Sequence, residues 1–327
     1  VAAGLMGVVI IYFNSMVFYY PLEYSLMEIT DLLATDLKDA PDWFHSAVSQ
    51  TPRKENLQHQ LGDLAYQVWD RSNAKDIIVL IHGTGAHKKW WDPIAPLISE
   101  NFSIIAPDLP GMGESEHRQE YNFEDFSTAL VAIMHQERIV NNRQKIYLIG
   151  HSLGGHVAGF MASEYPELFH GVVMIDSPIR PPTYDYDKHQ STGPLRRIKY
   201  YPDKVSIIKR FRLMPPQDCE NPWYLRYIAE HSVFNVKEGW RWRFDDKLFA
   251  TLRRLHNYEF KFQCPALFIA GGKSLLLESK IMKYIREAFK DSMAIEVIES
   301  AAHHVPLDSP LKLVSLINNY LEEWEEK

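Results

Sequence analysis

The residues best able to do chemistry are Gly150-His151-Ser152-Leu153-Gly154-Gly155. They follow the strand-like run Ile146-Tyr147-Leu148-Ile149 and precede a helically periodic segment. A serine with glycine two residues before and two after it, between a strand and a helix, reads as a nucleophile on a sharp turn. The turn strains the backbone, so its neighbours must lack bulk. It also lifts the hydroxyl above the strand ends, at a helix N-terminus. A glycine-rich turn with an incidental serine is the blander reading, and the strand and helix on either side count against it. A serine hydroxyl is a weak nucleophile alone. It needs a base to take its proton and a carboxylate to orient that base.

Three further motifs, in order along the chain, resemble those of the α/β-hydrolase family. Ile78-Val79-Leu80-Ile81-His82-Gly83-Thr84-Gly85 is similar to the family's oxyanion strand and loop. Ala106-Pro107-Asp108-Leu109-Pro110-Gly111-Met112-Gly113-Glu114-Ser115 is similar to its D-x-x-G-x-G-x-S loop. Ala302-His303 before Val305-Pro306-Leu307-Asp308-Ser309-Pro310 is similar to its catalytic-histidine loop. The resemblance runs from about Leu64 to the C-terminus and leaves residues 1–50 outside. It implies Ser152 as nucleophile, His303 as base with His304 as the rival, and the backbone amides of Thr84 and Leu153 as the oxyanion hole. His82 and Gly83 are expected to be structural.

The acid departs from the commonest family pattern. Where many members carry Asp after the strand that follows the lid, this chain has Ser274, and the nearby carboxylate is Glu278. The family's other acid site ends the strand just before the lid, and Asp176 stands there in Val172-Val173-Met174-Ile175-Asp176. Neighbouring parallel strands bring their C-terminal ends to one rim, so a carboxylate at either strand could reach the His303 loop. Asp176 is the expected acid and Glu278 the alternative.

These residues need a scaffold. Strand-like runs fall at Leu64–Trp69, Ile77–His82, Ser103–Ala106, Ile146–Ile149, Val172–Asp176, Ala266–Ala270 and Ile295–Ile298. Helical patterns fall at Trp91–Ile98, Phe123–Val140, Leu153–Tyr165, Glu278–Phe289 and Pro310–Trp324. The alternation predicts an α/β fold, a mostly parallel doubly wound sheet with helices on both faces. It breaks between Ile179 and Phe262, where an inserted helical lid is expected. The chain then divides into an N-terminal hydrophobic and helical extension (1–50), a first core part (51–179), the lid (180–262) and a second core part (263–327). Lid aromatics such as Trp223, Tyr224, Tyr227, Trp240, Trp242, Phe244 and Phe249 line a pocket or form the lid's own core. Arg180, Arg196, Arg197, Arg210 and Arg212 contact a charged substrate group or lie in solvent.

Composition excludes several classes. The 327 residues carry 46% hydrophobic and 24% charged side chains, ordinary for a globular chain with a large core. A net charge of −7 argues against nucleic acid. Two cysteines, Cys219 and Cys264, make no CxxC pair, and the histidine pairs 82/87 and 151/156 are five apart, so no metal and no cofactor is expected. Residues 1–22 have no charged side chain. They are read as a helix packed on the body or joining two copies, as a membrane contact, or as an uncleaved signal. Location is therefore either cytoplasmic or membrane-associated. The expected function is a serine hydrolase that cleaves a small, apolar carboxylic ester through an acyl-enzyme. The alternatives are a carbon–carbon bond hydrolase of the same fold and a non-catalytic binding protein.

Overall fold

The computed structural model describes residues 8–13, 16–21, 30–140, 144–184 and 198–326, with side chains from Leu32 onward. The N-terminal stretch differs from the expected helix. Val8–Phe13 (β1) and Met16–Pro21 (β2) pair as an antiparallel hairpin. The β-branched run Val8-Val9-Ile10-Ile11 favours extended backbone over helix. An N-terminal helix as an oligomer contact is corrected accordingly. Among the described residues no helix is long and apolar enough to cross a membrane. Within the 1–50 extension the described helical pieces are short, Thr30–Ala34 (α1), a 3-10 turn at Leu37–Asp39 and Asp42–Ser49 (α2); residues 22–29 lie outside the described residues.

Eight strands form the main sheet. In chain order they are Arg53–Leu57 (β3), Leu64–Trp69 (β4), Asp76–Ile81 (β5), Phe102–Pro107 (β6), Ile146–His151 (β7), Gly171–Ile175 (β8), and, beyond the inserted segment, Ala266–Gly271 (β11) and Ala294–Ile298 (β12). Their spatial order is β12-β11-β8-β7-β5-β6-β4-β3. The six strands from β12 to β6 are parallel, while β4 pairs antiparallel with both β6 and β3. The polar edge strand β3, Arg-Lys-Glu-Asn-Leu, carries no hydrophobic signal, which is why sequence periodicity passes over it.

Both faces of the inner parallel strands are buried, while the edge strand β12 is mostly half-buried. Ile77, Val79 and Ile81 of β5 pack into one core with Phe126 and Ile133 of α3 (Phe123–Gln136), Val157 of α4 (Leu153–Glu164) and Ile285 of α8 (Ser279–Ala288). Ile78 and Leu80 pack into the other with Trp91, Ile94, Val305 of the short helix Val305–Asp308 (α9) and the C-terminal helix Pro310–Glu326 (α10). Two buried faces make each strand a continuous apolar run rather than an alternating one. The helix expected at Trp91–Ile98 is instead two 3-10 turns, Lys88–Trp91 and Ala95–Leu97, because Pro93 and Pro96 interrupt it.

Strand order reverses at β5, which has β6 on one side and β7 on the other. In such sheets the crevice beyond the C-terminal strand ends opens at this point. Thr84 follows β5 and Ser152 follows β7, and Ile81 and Gly150 are register partners. The inserted segment contains Lys204–Ile208 (α5), Pro222–His231 (α6), the hairpin Val233–Val236 (β9) and Gly239–Trp242 (β10), and Leu248–Thr251 (α7). It is thus less helical than expected. It lies across the loops at these strand ends. Tyr224 Oη donates to Trp90 O at 2.7 Å, Gly113 N to Arg243 O at 2.7 Å and Asn221 Nδ2 to Leu307 O at 2.6 Å.

Candidate active site

The backbone at Ser152 has φ 55° and ψ −117°, a region costly for a residue with a side chain. Its amide donates to Ile175 O at 2.9 Å, tying the turn to β8. The glycines make the turn feasible. A Cβ on Gly150 would lie 2.1 Å from Gly154 O, and one on Gly154 would lie 2.2 Å from Ile81 O. The loop after β5 also comes close, since a Cβ on Gly83 would stand 3.3 Å from the Ser152 Cβ. Thr84, Ser152 and Leu153 line one cavity of about 90 Å³. Leu153 opens α4, and the first amides of a helix have no acceptor within it.

Asp176 follows β8 directly, with φ 46° and no exposure to solvent. One carboxylate oxygen accepts the Gly271 amide at 2.8 Å. The other accepts the Ser274 hydroxyl at 2.6 Å and meets His303 Nδ1 at 2.7 Å. The pairing leaves His303 Nε2 as the nitrogen not facing the carboxylate. Glu278 is exposed at the N-cap of α8. Ser274, which stands where the family resemblance would place a carboxylate, donates to Asp176 on the neighbouring strand. The sequence supplied that serine's position but no sign of its partner.

Other histidines hold the frame. His151 Nε2 lies 2.9 Å from the His303 carbonyl, and burial pushes its imidazole down to about 3, so a neutral ring donates there. The backbone of His303 is thereby fastened beside the serine turn. His304 is buried against Trp90, with neither ring nitrogen in a hydrogen bond. Burial, then the nearby His303 and His151, hold it well below the usual imidazole range, against a weak pull from the Met214 backbone. The nitrogens of His151, His303 and His304 come within 4.8 Å of one another. Two of the three rings already commit a nitrogen inside the protein, to Asp176 and to a carbonyl, and we assign the cluster no metal.

The remaining motifs are structural. His82 Nε2 accepts the Leu109 amide at 3.0 Å, which leaves the proton on Nδ1 to donate to Gly83 O at 2.8 Å. One ring therefore joins the loop after β5 to the loop after β6. In that second loop Asp108 accepts from Lys88 N, Lys88 Nζ and Glu114 N at 2.6, 2.5 and 2.8 Å. Gly113, at φ 62°, leaves the space this needs, because a Cβ would lie 2.1 Å from Asp108 Cγ. Ser115 Oγ donates to Asp108 O at 2.7 Å and accepts from Ala65 N at 2.9 Å.

The sequence model of the alpha/beta hydrolase fold matches residues 76–310. The chain belongs to the α/β-hydrolase family. It is 33% identical over 285 residues to a serine hydrolase-like protein of Danio rerio, covering 80% of this chain and 86% of that one. It is 23% identical over 289 residues to monoacylglycerol lipase ABHD6 of Mus musculus, covering 80% of each. Among solved structures, the thioesterase domain from the curacin biosynthetic pathway superposes with a TM-score of 0.67 at 21% identity, covering 82% of this chain and 99% of that domain.

Within this α/β-hydrolase five of the lid aromatics pack into core rather than line the cavity. Trp223, Tyr224 and Tyr227 pack on Phe44 of α2, and Trp240 and Trp242 pack around Ile207 and Ile208. Arg196 and Arg197 lie outside the described residues. The cavity walls instead include Leu252, Leu255, Tyr258 and Phe260 from the loop after α7. The histidine loop is braced by Asp308 of its own motif and by Gln217, which sequence reasoning passed over. Asp308 accepts the Ala302 amide at 2.7 Å, and Gln217 bonds both Asp308 and the His304 amide. Nothing in one sequence distinguishes Gln217 from a surface glutamine.

Two expectations arise here. Gly154→Ala drives a methyl into the β5 carbonyls, and backbone cannot yield as a side chain can. A loss of about 3 kcal/mol is expected, a fall in Tm of roughly 6–12 °C. An unchanged melting curve would contradict this close approach. Burial also pushes the Asp308 carboxyl up to about 6, above its unfolded value of about 3.9. The protonated form is thus favoured in the folded state. Its stabilisation is full below pH ~4 and is lost as pH rises through ~6. Asp308→Asn does not titrate, so its Tm relative to wild type should climb between pH ~4 and ~7. A difference that stays flat across that window would contradict the assignment.

Proposed function

We propose that this α/β-hydrolase cleaves a carboxylic ester through an acyl-enzyme on Ser152. His303 takes the Ser152 proton through Nε2 as Oγ attacks the ester carbonyl. Asp176 holds the imidazole by Nδ1–H and stabilises the positive charge it gains. The amides of Thr84 and Leu153 receive the oxyanion, the latter aided by the dipole of α4. The tetrahedral intermediate collapses, His303 hands its proton to the departing alkoxide, and the acyl group remains on Ser152. Water, deprotonated by the same imidazole, then releases the acid and restores the serine.

One observation carries this reading: the buried 2.7 Å contact between Asp176 and His303, on the rim that also carries the strained Ser152 turn. Relatives named as lipases and esterases support the reaction class. A protein used only for binding would have no need to keep Ser152 on a strained turn or to pair a buried carboxylate with His303. The test is a series of p-nitrophenyl esters of increasing chain length. Saturable turnover is expected on the shorter members. No turnover on any of them, together with no labelling by a fluorophosphonate, would overturn the reading.

A further inference from the structure

The cavity beside Ser152 departs in charge from the rest of the chain. Asp and Glu outnumber Lys and Arg by 42 to 35, yet the described cavity lining holds two arginines, Arg180 and Arg254, and no carboxylate. They reach it from different parts of the chain, Arg180 just after β8 and Arg254 three residues beyond α7. Ile179, Leu252, Leu255 and Phe260 supply apolar wall. His156, also in the lining, sets its Nε2 3.1 Å from Pro178 O. Burial pushes its imidazole down to about 4, and the fields of Arg180 and Arg254 push the same way. Both guanidinium groups therefore act on one ring, and that ring is neutral and adds no third cation.

Arg180 also stacks over Tyr184 at 4.9 Å. A guanidinium has five donors in a fixed fork, so one edge can hold a protein contact while another takes a ligand oxygen. Two such forks at the wall of a small, partly apolar cavity suit a carboxylate or a phosphate, which each accepts paired hydrogen bonds.

We propose that the ester cleaved here carries an anionic group, a carboxylate or a phosphate, bound by Arg180 and Arg254 while its carbonyl lies at Ser152. This rests on the hydrolase reading above. It changes the expected substrate from an apolar ester to one with an apolar spacer and a charged end.

The test compares matched esters. In the first pair, the mono-p-nitrophenyl ester of adipic acid is set against the p-nitrophenyl ester of 6-methylheptanoic acid, in which an isopropyl group replaces the carboxylate. In the second, an octanoylglycerol phosphate is set against octanoylglycerol, placing the charge on the alcohol side as a phosphate. The readout is the ratio of kcat/KM, charged over neutral. Wild type should favour the charged member of one pair about tenfold or more, and that pair identifies the source of the anion. Arg254→Gln should cut the ratio about tenfold, Arg254→Lys less, and added salt should lower it in wild type. Faster turnover of the neutral member in both pairs would overturn the anion site and leave the hydrolase reading standing. So would a ratio that neither Arg180→Gln nor Arg254→Gln moves. Absence of turnover on all four esters would overturn the anion site, and absence of fluorophosphonate labelling beside it would overturn the hydrolase reading as well.

Discussion

Ser152→Ala is expected to lower kcat/KM on a soluble ester by at least about 10⁴-fold with the fold intact. The loss follows from removing the only atom that can form the acyl bond, not from any change in packing, since Ser152 makes no side-chain hydrogen bond that caps α4. Alanine keeps a Cβ at φ 55°, so the strain of the turn remains and stability should stay near that of wild type. Ser152→Gly has no Cβ to strain and should be at least as stable as the alanine variant, while equally inactive. A variant that kept even a tenth of the activity would place the nucleophile elsewhere.

Asp176→Asn is expected to reduce turnover by about 10⁴-fold. The substitution is nearly isosteric. Yet an amide cannot both accept the Gly271 amide and Ser274 hydroxyl and stabilise a positive imidazole, and its NH₂ facing Nδ1 would favour the wrong tautomer. Glu278→Gln alters an exposed N-cap residue and should leave turnover within about twofold of wild type. The two variants measured on one ester separate the candidate acids. A crippled Glu278→Gln enzyme beside a near-normal Asp176→Asn enzyme would reverse the assignment.

Ser274 explains why two candidate acids stayed open in the sequence. The family resemblance implies a carboxylate near the end of the strand after the insertion, and here a hydroxyl stands there. Sequence alone could say that neighbouring strands share a rim. It could not say that Ser274 Oγ reaches across to Asp176 Oδ2 at 2.6 Å. The Ser152 turn was legible because its constraint is local. Gly150 and Gly154 answer contacts within a few residues, or with the next strand, and glycine is the residue that meets them. The parallel strands were legible because burial on both faces writes continuous apolar runs such as Ile77–Ile81.

What was missed shares a cause. The polar strand β3 is held by pairing with β4, so its side chains carry no hydrophobic pattern. Sequence offers the lid aromatics either a pocket wall or the lid's own core, and Trp223 and Tyr227 bury instead against Phe44, a partner far earlier in the chain that no local pattern announces. Arg254 drew no notice because it sits in an irregular loop. Its position matters only once Arg180 and Ser152 are brought to the same cavity. At the N-terminus an uncharged apolar run was read as helix, while its β-branched residues form a hairpin.

The most direct measurement of the central claim is the mass of the trapped enzyme. Wild-type protein is treated with a fluorophosphonate, digested and mapped by tandem mass spectrometry, with Ser152→Ala treated in parallel. The account predicts stoichiometric modification of the peptide containing Gly150-His151-Ser152, on the serine oxygen, and none in the variant. Modification at another serine, or labelling that survives the substitution, would contradict it.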